Sequence, residues 1–151
     1  MPAVLDGLFL TPAVTAITEA LASANATGTL VVVGNAKLAT ALKATYEVIA
    51  VGLTPRAAKK LGATLSDTST LDARSCAAVI AVDLATVESG EATLREWARV
   101  IRDGGAIVLV DRGHPVQASR LALCAGLSEI EQRHAGRAVV TSGLVSHLEG
   151  G

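Results

Sequence analysis

The sequence has few charged residues, no long apolar run and no cluster of basic residues, and each shortage excludes a class of protein. Charged residues make up 18% of the chain, and the formal net charge is −1 at pH 7. Because surfaces that bind nucleic acid or anionic lipid need clustered Lys and Arg, neither partner is expected. The apolar runs stay well short of the roughly 20 residues that span a bilayer, and the first residues lack the basic start of a secretory signal. We therefore expect a cytoplasmic protein with no membrane partner.

Cysteine is also scarce, and the chain contains only Cys76 and Cys124. Their separation fits neither paired-cysteine spacing nor Cys/His metal spacing, and His134 and His147 have no companions at ligand spacing. The sequence therefore predicts no metal site. Both thiols are expected to be reduced, buried and inert.

Apolar residues, in contrast, are abundant. They make up 50% of the 151 residues, and the mean hydropathy is +0.47, which predicts a folded chain with one core. We expect a single domain over 1–151, with an N-terminal segment and helix over 1–28 and the core over 29–146. Because a small domain needs polar residues to cover its surface, so apolar a chain predicts a homo-oligomer or a heteromeric complex. An apolar segment either covers an edge of its own domain or forms this interface: Val4, Leu5, Leu8, Phe9 and Leu10.

Helix and strand signals alternate along the chain. Thr11-Pro12 is typical of a helix start, and apolar residues at helical spacing follow it through Ala24. Helices are also predicted through Leu38 and Leu42, from Thr54-Pro55 to Gly62, and through Trp97 to an end at Gly104-Gly105. Short apolar runs, which are typical of buried parallel strands, predict strands at 30–33, 48–51, 63–65, 77–82 and 106–110.

The C-terminal part departs from this alternation. A last helix near 116–125 precedes two strands at 128–132 and 137–142, and their connection is so short that they must form an antiparallel hairpin. The whole pattern predicts an α/β fold, a doubly wound and mostly parallel sheet with helices on both faces and a C-terminal antiparallel hairpin.

Two stretches resemble a known family. LREWARVIRDGGAIVLVD, from Leu94 to Asp111, resembles the helix, double-glycine turn and fifth strand of class I S-adenosylmethionine (SAM)-dependent methyltransferases, with Asp103 where the family usually has proline. LALCAGL, from Leu121 to Leu127, resembles the family's helix that ends in Ala-Gly-Phe before the terminal hairpin. The likeness covers about residues 29 to 146 and implies a Rossmann-like methyltransferase fold.

The cofactor-binding motifs of that family are degenerate here. With Gly34 aligned to the first glycine of the family's loop, Ala36 and Leu38 occupy the places of the second and third, and Val32 replaces an acidic residue. Val51-Gly52-Leu53-Thr54-Pro55 resembles the family's Val-Asp-Leu-Ser-Pro, whose carboxylate holds the ribose hydroxyls, so Gly52 removes that contact.

The resemblance nevertheless implies where SAM would lie. Its cofactor-binding positions are Gly34, Asn35, Gly52 and Asp67, and Asp67 matches the acidic residue that contacts the adenine amino group in the family. By itself, Asp67 is more typical of a solvated loop.

Catalytic candidates come from the topology. Ligands of doubly wound sheets sit at the carboxyl ends of the strands, near the switch point between the first and fourth strands. Asp83 and His114 are expected at this edge and are the candidate acid/base pair, although loop residues of this kind are more often plain surface residues. Trp97 fits the core face of its helix.

Three functions are compatible with these observations. The leading hypothesis is a methyltransferase-like pseudoenzyme with weak or no SAM binding that acts as a structural or regulatory binding subunit. The alternative is an active small SAM-dependent methyltransferase. A Rossmann dinucleotide enzyme fits less well, because the segment from Gly34 to Ala39 keeps only the first glycine of that fingerprint. The sequence leaves open whether the protein is an enzyme and predicts no cofactor firmly.

Overall fold

The computed structural model describes residues 7–24, 27–52, 56, 59, 64–65, 68, 71–82, 90–136 and 138–146. The helices of this part are α1 (Gly7–Ser23), α2 (Ala36–Lys43), α3 (Gly90–Val100) and α4 (Pro115–Cys124). The strands are β1 (Leu30–Val33), β2 (Val48–Val51), β3 (Thr64–Leu65), β4 (Cys76–Val82), β5 (Ile101–Asp111), β6 (Ser128–Ala135) and β7 (Ala138–Leu144).

The described strands form one seven-stranded sheet in the order β3-β2-β1-β4-β5-β7-β6. The first five are parallel, and β7 runs antiparallel between β5 and β6. Strand β1 has β2 on one side and β4 on the other, so the direction of winding reverses between β1 and β4, which is the switch point of a doubly wound sheet. The predicted fold class and the C-terminal hairpin are confirmed.

Helices cover both faces of this sheet and define two core layers. The first layer lies under α1 and α2, and the second lies under α3 and α4. Strand residues alternate between them, so that Leu30 and Val32 face the first layer and Val31 faces the second. This two-sided burial explains why the parallel strands read as continuous apolar runs. Trp97 is buried in the second layer, as its spacing predicted.

The start of α1 differs from the expectation. The helix begins at Gly7 and not at Thr11, so Pro12 lies inside it. A proline lacks the amide that would bond to the carbonyl four residues earlier, and here only the carbonyl of Leu8 is affected. The predicted apolar face is confirmed, because Ile17 and Leu21 are fully buried.

The role of Gly104-Gly105 also differs from the expectation. Helix α3 ends at Val100, and strand β5 begins at once, with Ile101 beside Cys76 of β4. The register then shifts, because Ala106 pairs with Ala78, so the glycines lie in a bulge of β5. They do not stop a helix. The backbone of Ala77 comes so close to Gly105 that only glycine fits there, because a Cβ at this position would collide with the carbonyl oxygen of Ala77.

The two cysteines have different environments. Both are free thiols, and Cys76 is buried while Cys124 is exposed, so the expectation of burial was wrong for Cys124. The buried face of α4 carries Ala118 and Ala122. Since successive helical residues are rotated by about 100°, Cys124 lies on the far side from Ala122. Among the described helices, none combines the length and the apolar character needed to cross a bilayer.

Candidate functional site

The carboxyl ends of β1 and β2 meet at one edge of the sheet. Val33 lies beside Val51, and the amide of Gly34 donates to the carbonyl of Val51 at 2.8 Å. The residues that follow the two strands, Gly34 and Gly52, are exposed and have φ of +75° and +71°, a backbone region that favours glycine. A Cβ added at Gly34 would meet no described atom within 4 Å. This loop therefore presents backbone and open space.

The next residues start α2. Asn35 is its N-cap, and the side-chain oxygen accepts from the amide of Leu38 at 2.8 Å. Leu38 is fully buried in the first core layer. The side chain that replaces the third family glycine thus points into the core, and the amide oxygen of Asn35 is already engaged with the helix.

The other predicted site residues lie further along the same edge or outside the described part. His114 is exposed, has φ of +59° and precedes α4 without a side-chain capping bond. Because β4 separates β1 from β5, the ends of those two strands are about 10 Å apart. Asp67 and Asp83 lie outside the described residues. The structure therefore brings Gly34, Asn35 and Gly52 together and places His114 two strands away.

Asp111 was not singled out from the sequence. It is the last residue of β5 at this edge and is 2% exposed. Its carboxylate faces the second core layer, as Leu109 does, and it is not free of interactions. The available signal was a carboxylate placed directly after the apolar run 106–110, where parallel strands carry their site residues.

The start of α4 is held by the hairpin. The side-chain amide of Gln132 donates to the carbonyl of Pro115 at 2.6 Å and to the hydroxyl of Thr141 at 3.0 Å. Thr141 is 1% exposed, so these bonds are partly shielded from water and stronger than they would be at the surface. They anchor the first turn of α4, directly after His114.

A polar cluster on α3 holds the segment that follows β3. Arg99 donates to Glu96 and also to the carbonyls of Thr68 and Leu71, both at 3.1 Å. The hydroxyl of Thr68, which is 3% exposed, donates to Glu96 at 3.1 Å. The hydrogen bond with Glu96 raises the pKa of the Arg99 guanidinium, against the lowering effect of burial. The cluster holds Thr68 and Leu71, and Thr68 comes directly after the candidate Asp67 in the sequence.

Replacing Arg99 should loosen that segment. Arg99→Ala removes the bonds to both carbonyls, so we expect the amide of Leu71, which donates to Thr68 at 3.0 Å, to exchange its hydrogen faster. Hydrogen exchange followed by mass spectrometry or NMR measures this. Arg95→Ala is the matched control, because Arg95 pairs with the exposed Glu91 and does not reach the segment. Equal exchange at Leu71 in both variants would contradict the assignment.

A shallow groove lies near the other end of the strands, away from the carboxyl ends of β1 and β2. It runs between the end of α1 and the hairpin, and its lining includes Ser23, Glu129, Ser142 and Leu144. Leu144 pairs with Ala106 near the start of the regular part of β5, so the groove is distant from Gly34. No three His, Cys, Asp or Glu side chains of the described ranges are placed to share a metal ion.

Several solved structures with this architecture are methyltransferases or candidate methyltransferases. One belongs to a complex of the Haloferax volcanii Trm112 methyltransferase activator with a candidate methyltransferase (TM-score 0.68, 16% identity, 89% of this chain and 90% of that chain). A candidate SAM-dependent methyltransferase from Methanococcus maripaludis has a TM-score of 0.69 at 11% identity, over 97% of this chain and 91% of that one. A SAM-dependent methyltransferase from Thermotoga maritima has a TM-score of 0.64 at 15% identity, over 88% of this chain and 96% of that one.

Sequence comparison gives no further assignment. Neither a protein-family model nor a curated protein matches this sequence. At 11% to 16% identity, the structural similarities define the architecture alone. The chain has the fold of the class I SAM-dependent methyltransferases.

Proposed function

We propose that the protein is a methyltransferase-like subunit that binds SAM weakly or not at all and acts as a structural or regulatory partner. The observation that carries the proposal is Gly52. It stands at the end of β2, beside the β1 loop, where the resemblance places the carboxylate that holds the ribose hydroxyls. Loss of one charge-assisted hydrogen bond costs roughly 1.5–3 kcal/mol, which is about ten- to a hundredfold in affinity.

The neighbouring described residues do not compensate for that loss. The side-chain oxygen of Asn35 is bonded to the amide of Leu38, and Val32 is fully buried between the strands, so it offers no polar group. Gly34 contributes backbone alone. These residues therefore fit SAM poorly.

One observation favours an active small SAM-dependent methyltransferase as the second candidate. The loop after β1 is open at Gly34, and the Leu38 side chain points into the core, so the cofactor's place is not filled by that leucine. In this alternative, backbone groups and Asp67 hold SAM, with Asp83 beside the substrate. Asp67→Ala would then weaken SAM binding.

A subunit role implies a partner. The solved structure from Haloferax volcanii is a complex of a candidate methyltransferase with a methyltransferase activator. That complex supports the proposal that this chain also has a protein partner. We propose a cytoplasmic homo-oligomer or heteromeric complex without a membrane or nucleic-acid partner. Val4 and Leu5 of the predicted interface lie outside the described residues, and so do the side chains of Leu8, Phe9 and Leu10.

Calorimetric titration of the purified chain with SAM and with S-adenosylhomocysteine tests the proposal. We expect no dissociation constant in the low micromolar range for either ligand, because the carboxylate for the ribose is missing. A low micromolar or tighter value would overturn the proposal and support the active enzyme.

A further inference from the structure

The outer edge of β6 is open among the described residues. β6 is the last strand of the sheet, and its other edge pairs with β7. An open edge presents unpaired backbone amides and carbonyls, which can pair with a strand of another chain. The register shifts between Ser128 and Glu131, so Glu131 to Ala135 are the regular part of the ladder.

The hairpin register defines which backbone groups face outward. Ala135 pairs with Ala138 and is separated from it by two residues, a spacing at which the pair exchanges hydrogen bonds. Hydrogen-bonded and non-hydrogen-bonded pairs then alternate along an antiparallel ladder. The amides and carbonyls of Gln132 and His134 consequently point away from β7.

The charges of β6 are complementary to a second copy of β6. In an antiparallel pairing of two β6 strands centred on Gln132, Glu131 of each copy lies opposite Arg133 of the other, and His134 lies opposite Ile130. The outward backbone groups of Gln132 and His134 then occupy hydrogen-bonded positions. Arg133 contacts Glu131 of its own strand at 3.0 Å and Glu19 at 3.8 Å. The Arg133 side chain is 24% exposed, so a paired strand would bring a second Glu131 carboxylate beside this guanidinium.

Helix α4 adds an apolar surface on the same side. Val116 and Leu123 are both 65% exposed, and in the described part they are the large apolar side chains that remain exposed. They are seven residues apart and share one side of the helix. Arg95 of α3 bonds to the carbonyl of Cys124, and α4 packs on β6 and β7, so α4 lies between α3 and the open edge. Because the connection β5–α4–β6 is a right-handed crossover, the side of α4 that carries Val116 and Leu123 faces that edge.

The spacing of the elements suits such a pairing. The two copies would be related by a two-fold axis perpendicular to the sheet. Such an axis does not exchange the two faces of the continuous sheet, so both copies of α4 would lie on the same face. Strands are about 4.8 Å apart, and a helix over the β6–β7 junction would therefore lie about 10 Å from its copy. That distance is typical of packed helices.

We infer that the β6 edge is a self-association surface, through which two copies of this chain form one continuous sheet. The ion pairs of Glu131 with Arg133 define the register, and Val116 and Leu123 pack against their copies on α4. This inference deepens the oligomeric part of the proposed function. Because its experiment measures mass and not SAM affinity, the two can fail separately.

Light scattering of the full chain at about 10 to 100 µM tests the surface. We expect twice the chain mass of 15.3 kDa, and we expect His134→Pro to raise the dimer dissociation constant at least tenfold, because it removes an outward amide. The matched control is His134→Ala, which keeps the amide and should remain dimeric. Proline is tolerated where the missing amide faces solvent, and circular dichroism checks the fold.

Further variants keep the test decisive if His134→Pro does not fold. Leu123→Glu changes an exposed residue and should dissociate the dimer, whereas Gln117→Glu on the same helix should not. Arg133→Glu should also dissociate it, and the double variant Glu131→Arg with Arg133→Glu should restore it. A monomeric wild type would overturn the inference. So would a dimer that survives these changes but is lost when Leu8 and Phe9 are replaced by polar residues.

Discussion

Gly52→Asp is expected to strengthen SAM binding by about ten- to a hundredfold, because a carboxylate at this position can accept hydrogen bonds from the ribose hydroxyls. Gly52 is exposed and follows β2 directly, so a side chain here would lie beside the open loop at Gly34. Its φ is +71°, and aspartate is among the residues that tolerate this backbone region best. Calorimetry, or ligand-observed NMR if affinities are weak, measures the change against wild type.

The control for this substitution is Gly52→Asn. Asparagine has nearly the same size and tolerates the same backbone region, but it carries no charge. We expect a clearly smaller gain for Gly52→Asn. Equal affinities for the two variants and wild type would show that the end of β2 does not face the cofactor, and the proposed reason for weak binding would then be wrong.

Among glycine-to-alanine substitutions in the described strands, Gly105→Ala should be the most destabilising. A Cβ at Gly105 would collide with the carbonyl oxygen of Ala77 and with the Ile101 side chain. Overpacking costs typically 1–3 kcal/mol, and backbone atoms cannot rotate away as a side chain can. We therefore expect a loss of about 3 kcal/mol or more, seen as a Tm lower by roughly 6–12 °C.

Gly104→Ala provides the matched comparison. A Cβ at Gly104 meets nothing within 4 Å, but φ is +84°, so the cost is limited to left-handed backbone strain of roughly 1–2 kcal/mol. Thermal unfolding of both variants separates close approach at Gly105 from conformational strain at Gly104. If the two variants melt alike, the bulge does not depend on contact with Ala77.

The strands were predictable because of their two-sided burial. Residues 30–33 and 106–110 lie under helices on both faces, so they had to be continuous apolar runs, and a local pattern was sufficient to find them. Helix α2 was predictable for a similar reason, since Leu38 and Leu42 mark its buried face. The resemblance at 94–111 correctly indicated the methyltransferase architecture.

The candidate site was less predictable. Sequence order shows that Gly34 and Gly52 follow strands, but their contact depends on the parallel register of Val33 with Val51. The direction of the Leu38 side chain was also hidden, because an alignment to a glycine gives no side-chain orientation. Asp111 and the Arg99 cluster escaped detection because their partners are distant in sequence: Thr68 lies 28 residues from Glu96.

The sequence by itself determined the fold class, the order of the elements and the apolar faces of α1 and α2, because burial on one side of a helix produces a periodic pattern of apolar residues. Tertiary structure decided where α3 gives way to β5, why Gly105 must lack a side chain, which side of α4 leaves Leu123 and Cys124 exposed, and which strand ends the sheet. Those features depend on contacts between distant segments. Local sequence does not record which neighbour a residue meets across the sheet.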